Sequence, residues 1–475
     1  MGLKTFTIDF AELRKDPHLR NDEKYHSFLF SSDWNLFNSS SKKLIQLKDI
    51  LSDDYTLFDY QEDEEYKGIP TGQTYLDEDG DIREFQPVNA ENHPGRLKYK
   101  VSNDNILISS LRLAKSPALF FENKDLSEYV FSNGFYIFKV NNDWNKKFIL
   151  YILRTRKLKN ILDNHIYRGI GISAYKKEDL LKIKIPLIPK PKQDEIVSQI
   201  KPIEKKIKEL KAQITRPQEV INKVFAREFS FDLEKFEKSK KEKFFEVDFS
   251  NISKNNLTRI SSHFHHIKLN FLEEKIKDKD YWISLNTKFK LSGGKRVPKG
   301  KTFSHEQTEY YYLRPTEVNI WGIDKNNVLY ITEEIYNQLK RYKIKTGEFC
   351  ISIVGTLGKT ALIDTERLEI EDDNLILSEN FIKLTPTQEI NDLFYYYFFY
   401  SFIFEAQIDR EYTITSIKKL GIDKWSYIKI PNVPLSSQRK IADEIKAELD
   451  KQEEIKQQIK NERNKIDEII EKAIK

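Results

Sequence analysis

Cysteine is nearly absent: Cys350 is the one copy in 475 residues. A single thiol excludes an intrachain disulfide and any cysteine-rich zinc site. It lies in the apolar run FCISIV, where a buried, inert thiol is expected. Long apolar runs are missing as well, and none approaches the roughly 20 residues of a membrane span. The N-terminal MGLKTFTIDF has no signal-peptide core. Gly2 follows Met1, but Phe6 stands where N-myristoylation requires Ser or Thr. A soluble cytoplasmic protein is expected. Charge of one sign is also scarce, with Lys+Arg 79 against Asp+Glu 74 and a net charge of +5. So mild a balance permits nucleic-acid binding without demanding it; a local basic patch would matter more than the sum.

Catalytic signatures are missing too. GTLGKT, Gly355 to Thr360, carries Ile353 where a phosphate-binding P-loop needs its first glycine. A tight turn after a strand fits better, with Gly355 and Gly358 supplying positive φ or close backbone approach. Lys359 could then reach a phosphate. In IPNVP, Val433 separates Asn432 from Pro434, so this is not the Asn/Asp-Pro-Pro-aromatic motif of an amino-methyltransferase. Neither an ATPase motor nor a nuclease set emerges. His263 and His266 have the spacing of a helical ligand pair but lack neighbouring Cys or an acidic signature, so no metal is assigned. The acidic cluster Asp59, Glu62, Asp63, Glu64 and Glu65 reads either as a metal trap or, more ordinarily, as a solvated face that repels DNA.

What is present is repetition. Ile183 opens IKIPLIPKPKQDEI, and Ile428 opens IKIPNVPLSSQRKI. Upstream, Tyr99 opens YKVSNDNILISSLRL and Tyr342 opens YKIKTGEFCISIVGT. Tyr342 follows Tyr99 by 243 residues, and Ile428 follows Ile183 by 245. A near-constant offset over that distance indicates two copies of one architecture. IQLKDIL from Ile45 and ISLNTKF from Ile283 are a weaker third match. The length predicts two or three domains. Strands are expected at ILISSL, FYIFKV and KIKIPLI in the first copy, and at FCISIV, NFIKLTP and YIKIPNV in the second. DLFYYYFFYSFIFEAQI is expected to be helical.

A long helix follows each copy. Ile196, Ile200, Ile203, Ile207, Leu210 and Ile214 step by four and three, a heptad seam. Pro217 takes the next seam position, and Ile221 and Val224 resume the pattern; a kink or restart is expected at Pro202 and Pro217. The second seam runs through Ile441, Ile445, Ile455, Ile459, Ile466 and Ile469, with polar breaks at Gln452 and Glu462. Ser436 or Ser437 is the expected N-cap. The helices could pack on their own domains, but sustained heptads more often make a coiled coil. An antiparallel pairing would give a pseudo-two-fold α+β chain with two mixed, strand-rich domains separated by two long helices.

This layout resembles the specificity subunits of type I restriction–modification systems. The residues that carry the resemblance are KIPLIPKPKQDEI, IPNVPLSSQRKIADEI, SGGKRVPKG from Ser292 and ISIVGTLGKTALI from Ile351. It implies target-recognition domain 1 at 1–189, a central long helix at 190–229, target-recognition domain 2 at 230–434 and a C-terminal long helix at 435–475. It also implies a chain without catalysis of its own that reads a bipartite double-stranded DNA target. The partners would be two modification (methyltransferase) subunits and restriction (motor-nuclease) subunits, to which S-adenosylmethionine, ATP and Mg belong. A type IIB-like specificity subunit, a coiled-coil scaffold that binds no DNA and a lone nuclease are the rival readings. The copies diverge unequally: the second keeps Gly293–Gly294, whereas the first has GIPTGQTYLDEDGD from Gly68, and Arg112 where the second has Gly355.

The DNA-binding candidates follow from this setting. Lys295, Arg296, Lys299 and Lys301 occupy a Gly- and Pro-shaped loop. In isolation the loop is plain solvated charge; within a recognition domain it suits phosphates, and Arg also clasps guanine. IDREYTITSIKK offers Arg410, Tyr412, Thr413, Thr415, Lys418 and Lys419, and HIYRGIGISAYKK offers Arg168, Lys176 and Lys177. Both segments precede the proline junction by similar distances and suit groove and backbone contacts, with an ordinary surface loop as the alternative.

Overall fold

In the computed structural model the described residues are 42–71, 74–111, 114, 116–163, 174–242, 244–248, 252, 262–266, 268–277, 280–320, 322–414 and 417–475. Two units form: one takes the chain up to Gln213 together with Ile455–Lys475, the other takes Ile214–Glu454.

In the first unit the strands are β1 (Leu44–Gln46), β2 (Leu51–Asp53), β3 (Thr56–Leu57), β4 (Tyr66–Ile69), β5 (Gln86–Val88), β6 (Leu97–Lys100), β7 (Asn105–Ser109), β8 (Ala118–Phe120), β9 (Tyr129–Ser132), β10 (Phe135–Val140) and β11 (Lys184–Pro186). They make a β1-β11 pair, a four-stranded sheet β2-β10-β7-β8 and a five-stranded sheet β3-β6-β9-β4-β5. Helices α1 (Lys146–Arg154), α2 (Arg156–Ile161), α3 (Lys177–Leu181) and α4 (Lys190–Lys211) complete the unit with the chain's last residues. Every residue of β7 is buried, because the four-stranded sheet is the middle layer. Side chains alternate across a strand. Ile106 and Ile108 therefore join Phe148, Ile149 and Ile152 of α1 in one core, while Leu107 joins Ile69 and Phe131 of the five-stranded sheet in another.

The second unit holds α5 (Pro217–Glu228), α6 (Leu233–Ser239), α7 (Lys268–Ile276), β12 (Trp282–Ser284), β13 (Phe289–Gly293), β14 (Tyr311–Leu313), β15 (Val318–Asn319), β16 (Gly322–Ile323) and β17 (Leu329–Tyr330). After these come α8 (Glu333–Leu339), β18 (Phe349–Ser352), β19 (Thr360–Leu362), α9 (Thr365–Leu368), β20 (Leu375–Leu377) and β21 (Phe381–Pro386). The unit ends with α10 (Asp392–Phe398), α11 (Phe402–Glu411), β22 (Thr413–Ile414), β23 (Lys418–Lys419), β24 (Lys429–Pro431) and the first half of α12 (Leu435–Ile474). Its four-stranded sheet, β13-β21-β18-β19, repeats the order of the first unit, and β12-β24 repeats β1-β11. The parallel pair β4·β9 recurs as β14·β20. The layering recurs as well: Phe349 and Ile351 of β18 face the aromatic helices, and Cys350 faces the other sheet. Burial pushes the Cys350 thiol up to about 12, so it is inert at neutral pH.

All six expected strands form, each at the same place in its copy. The aromatic run is two helices rather than one. Ser401 interrupts it and caps α11, its hydroxyl accepting from Phe404 N–H at 3.4 Å.

The repeated proline junction closes each domain in the same way. Ile45 pairs with Ile185 in the first unit, and Ile283 with Ile430 in the second. Leu47 N–H donates to Ile183 O, and Leu285 N–H to Ile428 O, both at 2.9 Å. A buried glutamine then follows each junction. Gln193 donates to Ile188 O at 2.7 Å and accepts from Asn145 N–H at 2.7 Å. Gln438 donates to Val433 O at 2.8 Å and accepts from Asn391 N–H at 2.9 Å. Asn145 and Asn391 are the N-caps of α1 and α10. One amide thus ties the start of each long helix to the start of a core helix.

The expected central helix at 190–229 is two helices, α4 and α5. The chain restarts at Pro217, which sits in the first turn where no N–H is needed, while α4 runs on through Pro202. Ile214 falls in the break and is 37% exposed, so it is not a seam residue. α12 starts at Leu435, so Ser436 and Ser437 lie in its first turn and neither is the N-cap. In the first unit, Ile203, Ile207 and Leu210 pack with Ile455, Ile459 and Ile466. Ile196 and Ile200 share a core with Ile470 and Ile474, which Ile469 flanks. In the second unit, Ile441, Ile445 and Leu449 share a core with Val220, Ile221 and Val224. Partner numbers fall as residue numbers rise: Lys206 pairs with Glu462 at 2.6 Å in the first unit, and in the second Thr215 N–H reaches Gln452 at 2.8 Å and Arg227 reaches Glu444 at 2.6 Å. Within each unit the helix pairing is therefore antiparallel. Gln452 and Glu462, the polar breaks of the seam, are buried and partnered.

Candidate nucleic-acid interface

Antiparallel register decides which loops meet. In the second unit Gly293 pairs with Ile382, Ser352 with Phe381 and Ile351 with Thr360. The end of β13, the start of β21, the end of β18 and the start of β19 therefore lie at one end of the four-stranded sheet. The loops leaving that end are 294–301, 378–380 and 353–359. The β22–β23 hairpin is fastened there too, since Val354 bridges Lys419, Gly355 N–H donates to Lys418 O at 2.9 Å and Leu420 N–H to Ile353 O at 3.0 Å. Gly355 and Gly358 have φ of 76° and 80°, the turn geometry expected of GTLGKT.

The first unit repeats this end. Phe135 pairs with Ser109, Ile108 with Ala118 and Phe138 with Asp53. Leu111 bridges Ala174, and Tyr175 N–H donates to Ser110 O at 3.0 Å, as Leu420 does to Ile353. The segment leading to Lys176 and Lys177 thus reaches the equivalent sheet end. Segments distant in sequence converge in each unit because a strand order of 2-10-7-8 or 13-21-18-19 puts alternate loops on the same side.

The candidates differ in what holds them. Lys176, Lys295, Lys299, Lys418 and Lys419 are exposed at these ends. Lys177 pairs with Asp53 at 2.7 Å and lies over the Tyr55 ring at 5.4 Å. Its ammonium is raised above the usual lysine value, chiefly by the hydrogen bond to Asp53. Arg296 donates through Nε to Glu379 at 2.7 Å, and Lys301 is bound to Glu334 at 2.7 Å. The Lys359 ammonium donates to Pro315 O at 3.0 Å, which turns it from solvent toward its own domain. Thr413 Oγ1 donates to Lys419 O at 3.2 Å across the hairpin.

Two expectations are corrected. Arg410 is ion-paired with Glu273 and stacked on Phe264 at 4.7 Å, so it braces α11 against α7. Tyr412 is 7% exposed, with its ring 4.4 Å from that of His263, whose Nε2 meets Tyr412 O at 3.0 Å. His263 is a packing residue, and no metal-binding group of His, Cys, Asp and Glu occurs among the described residues. Arg112, Arg168 and Thr415 lie outside the described residues.

Sequence reading passed over Tyr312 and Glu379, which hold the loop of Lys295 and Arg296. Tyr312 OH lies 2.9 Å from Lys295 O and 3.2 Å from Glu379 Oε2 and shares its single proton between them. Nothing local marks either residue, because strand pairing alone brings them to the loop. The glutamines were more accessible, since Gln193 and Gln438 align in the repeated junction.

The family described as the type I restriction modification DNA specificity domain matches residues 36–220 and 285–464, one match in each copy. The chain belongs to this family. A search of curated proteins returns no significant match. Among solved structures, the chain is similar to one described under complex assembly and conformational transition of the type I R-M system, at 13% identity and TM-score 0.47, covering 91% of this chain and 97% of that one. It is also similar to the HsdS subunit from Thermoanaerobacter tengcongensis, at 14% identity and TM-score 0.33, covering 91% and 96%. The S subunit from M. genitalium gives 14% and 0.38, covering 92% and 97%. As a type I specificity chain, the protein carries its two specificity domains as two strand-rich units, each with its own loop-bearing sheet end.

Proposed function

We propose that the two equivalent sheet ends each read one part of a split DNA target, and that the long helices set the distance between the parts. The observation that carries this reading is the convergence, in both copies, of segments from distant parts of the chain on the same end of the same sheet, with exposed lysines there: Lys176 in the first copy and Lys295, Lys299, Lys418 and Lys419 in the second. The two ends carry different side chains, as two different half-sites require. On this reading the chain performs no catalysis. Its helices dock two modification subunits, which transfer methyl from S-adenosylmethionine to adenine. Restriction subunits join with ATP and Mg for cleavage, and the complex works in the cytoplasm, in keeping with the finding that no described helix is long and apolar enough to cross a membrane.

The test is co-expression with the cognate modification subunit, followed by genome-wide mapping of methyladenine. A bipartite motif with an unread spacer is expected. Exchanging residues 249–429 for those of a relative should then change one half of the motif only. Methylation at an unsplit motif, or a change in both halves, overturns the reading.

A further inference from the structure

We propose that Arg296 is a guanine reader of the second domain, held in its reading position by Glu379 and Tyr312. The inference rests on the proposed function and assigns one residue its base class. It starts from Gly294. A Cβ there would lie 2.1 Å from Ser378 O and 2.6 Å from Leu377 O, so the loop approaches the 378–380 turn as closely as only glycine allows. Backbone bonds fix that approach: Gly294 N–H donates to Phe381 O at 3.1 Å and Lys295 N–H to Leu377 O at 3.0 Å. Tyr312 OH adds a third tie, to Lys295 O at 2.9 Å. The backbone that leads into Arg296 is thereby held by three ties at residues 294 and 295.

The side chain is then aimed. Arg296 is 79% exposed, yet its Nε donates to Glu379 Oε1 at 2.7 Å. The other oxygen of Glu379 lies 3.2 Å from Tyr312 OH and shares that hydroxyl proton with Lys295 O. Burial raises the Glu379 carboxyl, but the bonds from Arg296, its own backbone and Tyr312 more than offset this, so it stays below the usual carboxylate range and ionised at neutral pH. A guanidinium gripped at Nε by a carboxylate leaves its two terminal nitrogens as a fixed fork. Neither finds a hydrogen-bond partner among the described residues. A planar two-donor fork matches the O6 and N7 acceptors of guanine in the major groove, and no other base offers that pair. Lys299, on the same loop, is exposed without such an aiming contact among the described residues, and suits a phosphate. The first domain has Asn133 at the place of Glu379 in the matching turn, so it lacks this device.

The experiment uses the full chain with its modification subunit, once the wild type has given a methylation motif. If the wild type gives no motif, the proposed function fails and Arg296 is not at issue. Given a motif, Arg296→Lys should turn one required guanine into a degenerate position, with relative use of the other bases rising about 10- to 100-fold, and leave the remaining positions unchanged. Glu379→Gln should relax the same position to a smaller extent, which a merely structural role would not do. Lys299→Ala should weaken binding to all sequences alike and reduce its salt dependence. An unchanged motif in Arg296→Lys, or an equal loss at every position with a shallower salt slope, overturns the assignment and makes Arg296 a phosphate contact or a bystander.

Discussion

Gly293 and Gly294 are adjacent in sequence and unlike in what confines them. A Cβ on Gly293 would meet only Ile422 Cδ1, at 3.3 Å, the far end of a side chain that can turn aside. A Cβ on Gly294 would strike the backbone of residues 377 and 378. We expect Gly293→Ala to shift stability by less than about 1 kcal/mol and Gly294→Ala to cost about 2–4 kcal/mol, as overpacking against rigid backbone does. Chemical denaturation of the two variants checks this, and equal effects would show that the 378–380 turn gives way. The glutamines act at the same scale. Each buried amide satisfies one backbone acceptor and one backbone donor, so its loss would leave both unpaired in the interior. Of this, the sequence showed the Gly-Gly pair, while the glutamines stood aligned in the repeated junction without being singled out. It could not show what each touched, because their partners lie 84 and 47 residues away, at Ser378 and Asn391.

At the scale of elements, α4 and α12 are bound in the first unit by an acidic loop from the stretch that set the first copy apart. Asp77 accepts from the N–H groups of Asp79 and Asp81, both at 2.9 Å, which shapes the loop. Lys211, near the end of α4, then pairs with Asp77 at 2.7 Å and Asp81 at 2.9 Å, while Arg463 of α12 pairs with Asp79 at 2.6 Å. The loop of Asp77, Asp79 and Asp81 is thus a clamp, and only the helix packing brings its two cations to it. Asp467, one turn further along α12, lies in the opposite situation. Burial pushes its carboxyl up to about 6, from an ordinary value of 3.8. A raised carboxyl favours the folded state in its protonated form. That contribution is complete below about pH 4 and is lost as pH rises through about 6. Asp467→Asn stays neutral throughout, so its stability relative to wild type should rise across pH 4–7. Denaturation midpoints across that range check it, and a constant difference between the two proteins would show that Asp467 is not desolvated.

At the scale of the whole molecule, α12 is the element that belongs to both units, contributing its first half to one and its last residues to the other. Its 40 residues span about 60 Å at about 1.5 Å per residue. The link between α4 and α5 is not helical, so an insertion between Thr215 and Pro217 alone would lengthen a loop and leave the ruler unchanged. Seven residues added to α12 after Glu454, with seven in that link, extend the ruler by about 10 Å and preserve the heptad faces. With a rise of about 3.4 Å per base pair, the unread spacer of the methylation motif should grow by about three base pairs, with both half-sites intact. An active variant that keeps the original spacer rules out the helices as the ruler.

By itself the sequence determined the duplication, the six strands and the heptad seams, because these follow from local periodicity and from words repeated at a fixed offset. It also determined the family, through junction residues close together in the chain. Tertiary structure decided the rest. The break at Pro217 and the exposure of Ile214 depend on packing partners that the periodicity of one helix does not contain. Arg410 and Tyr412 share composition with Lys418 and Lys419, and only the neighbours Glu273 and His263 turn the first two inward. Arg296 was one basic residue among several in its loop. Its distinction comes from Glu379, 83 residues further on, which antiparallel pairing of β13 with β21 brings beside it. Side-chain chemistry is written locally, but which charge is used in folding and which stays exposed at the sheet end depends on strand order, a property of the assembled sheet.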